Sequence, residues 1–458
     1  MHRSTEMVCG ILCITALSGC LRTAAFDMTR AWPGQLEKSH PGGALPDPER
    51  DERVSLRAIL AYADRHAPAI EAATGTLARV EAERAAASLL LAEDPVLDIS
   101  FGPRINTDGT AYEVEVSVQQ RFEIGGQRGL RIDAANQFRK LTMAQIAEVR
   151  WRVHLEVHTA FHAALVARAR MEAADRLFQF TERLLAIAQK RHRAGDISLL
   201  QVRVAEGEVA RARQEKIKAG AGYRAARLTL AELAGWPTSK LPEPAGTLDK
   251  SRRAPPVADL VQRGLVRHPA VRRFAAAAEL AQARKRVADR EAWPDIAVAM
   301  SYIREDEATA AGTEDQHIGL VGVSIPLPLF RRNQASRARA GADVSAVNAQ
   351  AAAYLRQLRA RIARAADAVD AAADRLDAYG TDIIPTFAQN LRLIERAFEL
   401  GEIDIVEVLA ARGRFLQLER DALSAFDDYF RAVAELESQI GTEIWPDEHH
   451  VDDEEQEQ

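Results

Sequence analysis

The chain has 458 residues, 47% of them hydrophobic but only 6% aromatic, so Ala, Leu, Ile and Val supply most of the apolar surface and helices are the expected element. The formal net charge of -6 comes from the last twelve residues, where Asp447, Glu448, Asp452, Asp453, Glu454, Glu455 and Glu457 lie, and the remainder stands at +1, which excludes the clustered basic footprint of a nucleic-acid binder. The three cysteines are Cys9, Cys13 and Cys20, so disulfide frameworks, thiolate zinc sites and cysteine nucleophiles are excluded from the body of the chain.

Residues 1–19 have the form of a signal peptide, with an apolar segment from Met7 to Leu17 behind Arg3. Leu17-Ser18-Gly19-Cys20 resembles the lipobox of bacterial lipoproteins, which implies acylation of Cys20 and attachment to outer-membrane lipid. Residues 20–53, with Pro33, Pro41, Pro46 and Pro48, read as an extended lipidated tether. No run of 18 or more apolar residues occurs, so no transmembrane helix is expected.

Past the tether the chain repeats itself. Arg65-His66-Ala67-Pro68 is echoed by Arg267-His268-Pro269-Ala270, Gly195-Asp196-Ile197 by Gly401-Glu402-Ile403, and Gly235-Trp236-Pro237 more loosely by Gly441 and Trp445-Pro446. This divides the body into a first repeat at 54–237, a linker at 238–256, a second repeat at 257–446 and an acidic tail at 447–458. Units this large indicate duplication of a domain-sized element, since solenoid repeats run roughly 20 to 50 residues.

Within each repeat the period switches twice. A helical segment at 55–92 gives way to strict alternation in two strands, about 95–104 and 112–121, around the turn Asn106-Thr107-Asp108-Gly109. The second repeat has matching strands at about 294–303 and 316–326. The stretches 127–194 and 334–400 then read as helices about 100 Å long at about 1.5 Å per residue. Leu355, Leu358, Ile362, Ala365, Val369, Ala372, Leu376, Tyr379 and Ile383 follow coiled-coil seam spacing, and Pro385 forces a kink or re-phasing. After Gly401 a returning helix carries Leu409, Leu416, Leu423 and Phe430, so the long helices form antiparallel hairpins.

Four two-faced strands cannot close a membrane barrel, which needs about eight, and open edges are not tolerated in lipid. Copies of the chain would therefore share one barrel, unless the hairpins pack on the helices as a water-soluble sheet.

Ser117-Val118-Gln119-Gln120-Arg121-Phe122-Glu123-Ile124-Gly125-Gly126-Gln127-Arg128 and Ile325-Pro326-Leu327-Pro328-Leu329-Phe330-Arg331-Arg332-Asn333-Gln334 resemble the two strand-to-helix junctions of the TolC-type outer-membrane factor family, in its cobalt-zinc-cadmium efflux branch. Ile384-Pro385 and the segment from Phe398 to Leu409 resemble that branch's kink and hairpin tip. The resemblance implies a mainly helical fold with a transmembrane β-barrel, twelve strands shared by a homotrimer, continued by a long periplasmic helical tunnel. It also implies docking to a periplasmic membrane-fusion adaptor and an inner-membrane pump of the resistance-nodulation-division class, and a passive export duct for divalent heavy-metal cations. Multidrug or type I secretion export and a periplasmic coiled-coil scaffold are the alternatives.

Gly195, Asp196, Gly401, Glu402, Asp404 and Glu407 fall at the periplasmic tip and gate that the resemblance implies. Relatives with a closed gate use an Arg after the turn and two carboxylates; Glu407 keeps one carboxylate, while Ile403 stands at the Arg position and Ala410 at the other. Glu407 is read as facing the lumen, and Asp196 and Glu402 as facing it or complementing a helix N-terminus. His154, His158 and His162 share a helical stripe with metal-ligand spacing, but no carboxylate completes it in the sequence, so no metal site is assigned. No catalytic motif, phosphate loop, dinucleotide glycine signature or cofactor signature occurs, and no enzyme activity is expected.

Overall fold

The computed structural model describes residues 46–48, 53–106, 109–248, 251–309, 312–379 and 383–445. The signal segment, Cys20, most of the tether and the acidic tail lie outside the described residues.

The first half runs β1 (Arg53–Val54), α1 (Leu56–His66), α2 (Pro68–Gly75), α3 (Leu77–Ser88), β2 (Val96–Asn106), β3 (Gly109–Phe122), α4 (Gln127–Ala194) and α5 (Leu199–Ala234). After β4 (Glu243–Pro244), the second half repeats the order with α6 (Val257–Arg267), α7 (Pro269–Arg290), β5 (Ile296–Thr309), β6 (Gly312–Ser324), α8 (Gln334–Asp377), α9 (Ile383–Leu400) and α10 (Ile405–Ile440).

The helical segment expected at 55–92 is three helices. Ala67 precedes Pro68 and is extended (φ -64°, ψ 126°), because a residue before proline is disfavoured in the α region, and Pro68 then starts α2. His268-Pro269 breaks α6 from α7 in the same way. The helix expected over 334–400 is also divided: α8 ends at Asp377, and Pro385 lies in the first turn of α9. Proline lacks an N–H to donate but costs little in a first turn, so the break precedes it instead of centring on it. The long helix over 127–194 is continuous, as the uninterrupted pattern predicts.

The strands form one antiparallel sheet in the order β2-β3-β5-β6, so the two hairpins join through β3 and β5. Both outer strands, β2 and β6, are edges. A separate two-residue parallel pair ties Arg53–Val54 to Glu243–Pro244, and Arg168 and Arg227 hold the same linker through its carbonyls.

Three apolar cores lie along the helices. Ile59, Leu60, Val157, Phe161, Leu230 and Trp236 centre the first, between α1, α4 and α5. Leu260, Leu358, Ile362, Val369, Leu436 and Ile440 centre its counterpart in the second half. Phe180, Leu184, Phe398, Ile405 and Val408 form the third, where the two helical hairpins meet near their tips. Each such side chain contributes about 1.5–3 kcal/mol of burial. The predicted seam on α8 is buried from Leu358 to Leu376, while Leu355 is exposed. On α10 the buried line includes Arg412 and Glu419, which apolar spacing cannot show.

Candidate functional site

The sheet has two chemically distinct faces. Through the registers, Leu97, Ile99 and Phe101 align with Val118, Val116 and Val114; of these Val118 pairs with Met300, itself opposite Val321, Val116 with Tyr302, and Val114 with Arg304. Most of these side chains are exposed in the single chain. The opposite face carries Asp98, Ser100, Glu113, Glu115, Ser117 and Ser301, with Glu113 directly opposite Glu305. Far from the helices, the apolar face ends in groups that suit a membrane–water boundary: Tyr302 Oη lies 2.7 Å from His317 Nδ1, and Arg304 donates to Asp315 at 2.9 Å.

At the opposite end of the molecule the long helices turn. Gly195 (φ 86°) and Gly401 (φ 79°) take the left-handed conformation that closes a helix C-terminus. Asp196 N–H donates to Arg191 O and Glu402 N–H to Ala397 O, both at 3.0 Å, so the two turns share one geometry. The side chains of Asp196 and Glu402 are exposed and cap neither helix. Asp404 and Glu407 instead form a reciprocal box: Asp404 Oδ1 accepts from Glu407 N–H at 2.8 Å, and Glu407 Oε2 accepts from Asp404 N–H at 3.2 Å. Glu407, read from sequence as a lumen residue, is exposed and also caps the start of α10. Asp404-x-x-Glu407 is a capping-box pattern and was legible as one. The equivalent Ser198 starts α5 without a side-chain cap bond.

Above the tips, ion pairs join the two halves. Arg412, 7% exposed, contacts Glu208 at 2.8 Å, and Arg211 reaches the same carboxylate at 3.2 Å. Arg176 pairs with the buried Glu419 at 2.9 Å, Arg420 with Glu215 at 3.0 Å and Arg183 with Glu395 at 2.8 Å. Arg191 donates to Phe398 O at 2.9 Å and lies over its ring. The pairs between the halves carry no local signal, because each joins two distant segments.

The histidine stripe on α4 packs as a ladder of rings: Trp151 stacks on His154, His158 meets His162 edge-on, and His162 stacks on Phe430 at 4.0 Å. A carboxylate does reach it from after α10, with Glu443 Oε1 3.0 Å from His154 Nε2, which corrects the expectation of none. Among the described residues no group of three or more His, Cys, Asp or Glu side chains is disposed to hold a metal ion. Nearby on α10, burial pushes the Glu437 carboxyl up to about 8, Glu443 adding to the rise, while the Ile444 N–H donated to Oε1 at 3.0 Å opposes it. No helix among the described residues is long and apolar enough to cross a membrane.

The protein-family comparison matches the outer membrane efflux protein family over residues 78–236 and 260–442. The cobalt-zinc-cadmium resistance protein CzcC of Cupriavidus metallidurans is 27% identical over 322 residues, covering 70% of this chain and 75% of CzcC. The outer membrane protein VceC from Vibrio cholerae superposes with a TM-score of 0.64 at 19% identity, over 85% of this chain and 96% of that one. A CusC structure, described in terms of folding and transmembrane channel formation, gives 0.63 at 16% identity over 88% and 96%. Duplicated halves, a two-faced sheet with open edges and helices of this length are the parts of such a channel, and the chain belongs to the outer membrane efflux protein family, residing in the outer membrane.

Proposed function

We propose that the chain is the outer-membrane duct of a tripartite resistance-nodulation-division efflux system that exports divalent heavy-metal cations. The observation that carries the duct is the four-stranded sheet with one apolar face, one polar face and two unpaired edges, continued by long helices of which α4 reaches about 100 Å. Pairing β6 of one copy with β2 of the next satisfies both edges, and three copies give twelve strands with the carboxylates inside. Likeness to CzcC supports metal cations as the cargo. Translocation through such a tube needs no bond-making groups, and the chain is not an enzyme on this reading.

The two repeats, 54–237 and 257–446, supply equivalent sixths of the trimeric tunnel and barrel, and Cys20 carries the lipid of the tether. Gly195, Asp196, Gly401, Glu402, Asp404 and Glu407 form the periplasmic mouth, where a membrane-fusion adaptor joins the duct to its pump. Deleting the gene should lower the tolerance of the host to cobalt, zinc or cadmium, and the wild-type gene should restore it. Unchanged metal tolerance with increased sensitivity to organic drugs would assign the duct to multidrug export.

A further inference from the structure

The chain leaves β6 at Ser324 and enters α8 at Gln334 through a nine-residue loop that is braced from within. Arg332 Nε donates to Pro328 O and Arg332 N–H to Gln334 Oε1, both at 3.0 Å, and Gln334 Nε2 donates to Phe330 O at 2.8 Å. Asn333, left-handed at φ 54°, is the one non-glycine residue of positive φ among the described residues. Its Nδ2 donates to Ala288 O at 3.0 Å and to Glu291 Oε2 at 2.9 Å, which fastens the loop to α7. A left-handed non-glycine residue costs about 1–3 kcal/mol and persists only where its surroundings hold it.

This rigid loop presents its largest apolar side chains to the outside. Leu327 is 75% exposed, Leu329 65% and Phe330 87%. Arg331 and Arg332 follow immediately and are exposed, and neither has an ion-pair partner among the described residues. The loop continues from Val323, on the apolar face of the sheet, at the helix-side end where Trp293 is also exposed.

We infer that residues 325–333 are a foot that docks on the phospholipid leaflet facing the helical tunnel. Leu327, Leu329 and Phe330 enter the boundary between acyl chains and headgroups, and Arg331 and Arg332 bind lipid phosphates. Continuity with the apolar sheet face places the loop at the level where the bilayer ends. Aromatic and aliphatic side chains beside exposed arginines that have no ion-pair partner among the described residues match the chemistry of that boundary. A bound leaflet also accounts for the bracing, since a preset conformation lowers the cost of docking. The inference rests on the shared-barrel reading.

The test uses the full chain in nanodiscs of phosphatidylethanolamine and phosphatidylglycerol, with a nitroxide on single introduced cysteines. Past Cys20 the sequence has no cysteine to interfere. Labels at Leu327→Cys and Phe330→Cys should collide with oxygen more often than with a water-soluble nickel chelate, as at Ile99→Cys on the apolar strand face. Gln214→Cys on α5 should show the reverse. Nickel access at both loop positions equal to that at Gln214→Cys overturns the foot, as does an immobile label shielded from both reagents, which would mean that a second copy or another protein covers it. Nickel access at Ile99→Cys would overturn the barrel reading itself. By native mass spectrometry, Arg331→Glu with Arg332→Glu should lower retained phosphatidylglycerol, relative to phosphatidylcholine, by about fivefold per arginine; unchanged retention removes the phosphate contact.

Discussion

Gly441 lies so close to His268 that a Cβ built on the glycine would stand 2.5 Å from the histidine Cα. The first half repeats the contact, with a Cβ on Gly235 falling 2.0 Å from the carbonyl oxygen of His66. The two sequence echoes therefore meet in space: each helix C-terminus closes on the break between two shorter helices. Both glycines also have positive φ, 72° at Gly235 and 74° at Gly441. Gly235→Ala or Gly441→Ala should each cost about 3 kcal/mol or more, combining a left-handed residue with a backbone clash. Gly195→Ala, with no atom within 4 Å of the added Cβ, should cost only about 1–2 kcal/mol. Folded yield and melting temperature of the three variants would establish the order, and equal losses would contradict it.

Removing the Asp404 carboxylate should release the Glu407 N–H at the start of α10, while the Asp404 N–H keeps its bond to Glu407 Oε2. Asp404→Ala is expected to cost about 1 kcal/mol and to speed amide exchange over the first turn from Ile405. Ser198→Ala, at the equivalent site without a side-chain cap bond, should leave exchange unchanged. Asp404→Asn keeps an acceptor and should fall between them.

Arg412→Ala should be among the more damaging changes near the helix tips, because it leaves Glu208 poorly exposed with only the outer Arg211 as partner. Breaking such a pair from one side costs about 3–5 kcal/mol when both groups are buried, and Arg211 should hold the loss near the lower value. Combining Arg412→Met with Glu208→Met should recover much of it. A double-mutant cycle on thermal stability measures the coupling.

Stability should respond to pH through Glu437 and His268 in different ranges. The folded Glu437 carboxyl, at about 8, lies above its ordinary value of 4.5, so it favours folding at low pH and loses that contribution as pH rises from 4.5 to 8. Glu437→Gln should remove this slope, and its stability relative to wild type should increase across that window. Burial lowers the His268 pKa below 6.5, the Ser438 carbonyl and the Glu148 charge opposing the shift. Its Nδ1 accepts from Ala270 N–H at 3.0 Å, so the ring is held neutral. That contribution is present above pH 6.5 and is lost as pH falls through the folded value. Unfolding curves for wild type, Glu437→Gln and His268→Gln between pH 4 and 9 separate the two.

The elements that set the fold were legible because they are long and periodic. Alternation over Val96–Phe101 and Glu113–Gln119 marks both faces of a hairpin, and the uninterrupted pattern behind Gln127 marks one unbroken helix. The family junctions identified the architecture. The break at Ala67-Pro68 was harder to read, since apolar spacing continues across it while backbone preference does not, whereas Pro385 marked the interruption ahead of α9. At the helix turns the acids were visible in the sequence, while the local hydrogen bonds of Asp404 and Glu407 come from the capping geometry. Arg412 with Glu208 and His154 with Glu443 depend on long-range packing, which a single sequence does not encode in any local pattern.

The 68 unbroken residues of α4 make it a lever. With one end fixed at Gly126, beside the sheet, a tilt of one degree carries Gly195 through about 1.8 Å, given a length of about 100 Å. Spread over nearly twenty turns, a bend of several degrees asks almost nothing of any single backbone hydrogen bond. The second half reaches the same end with two rods, α8 and α9, in place of one. A small tilt at the sheet end of α4 is thus carried to Gly195 as an ångström-scale displacement.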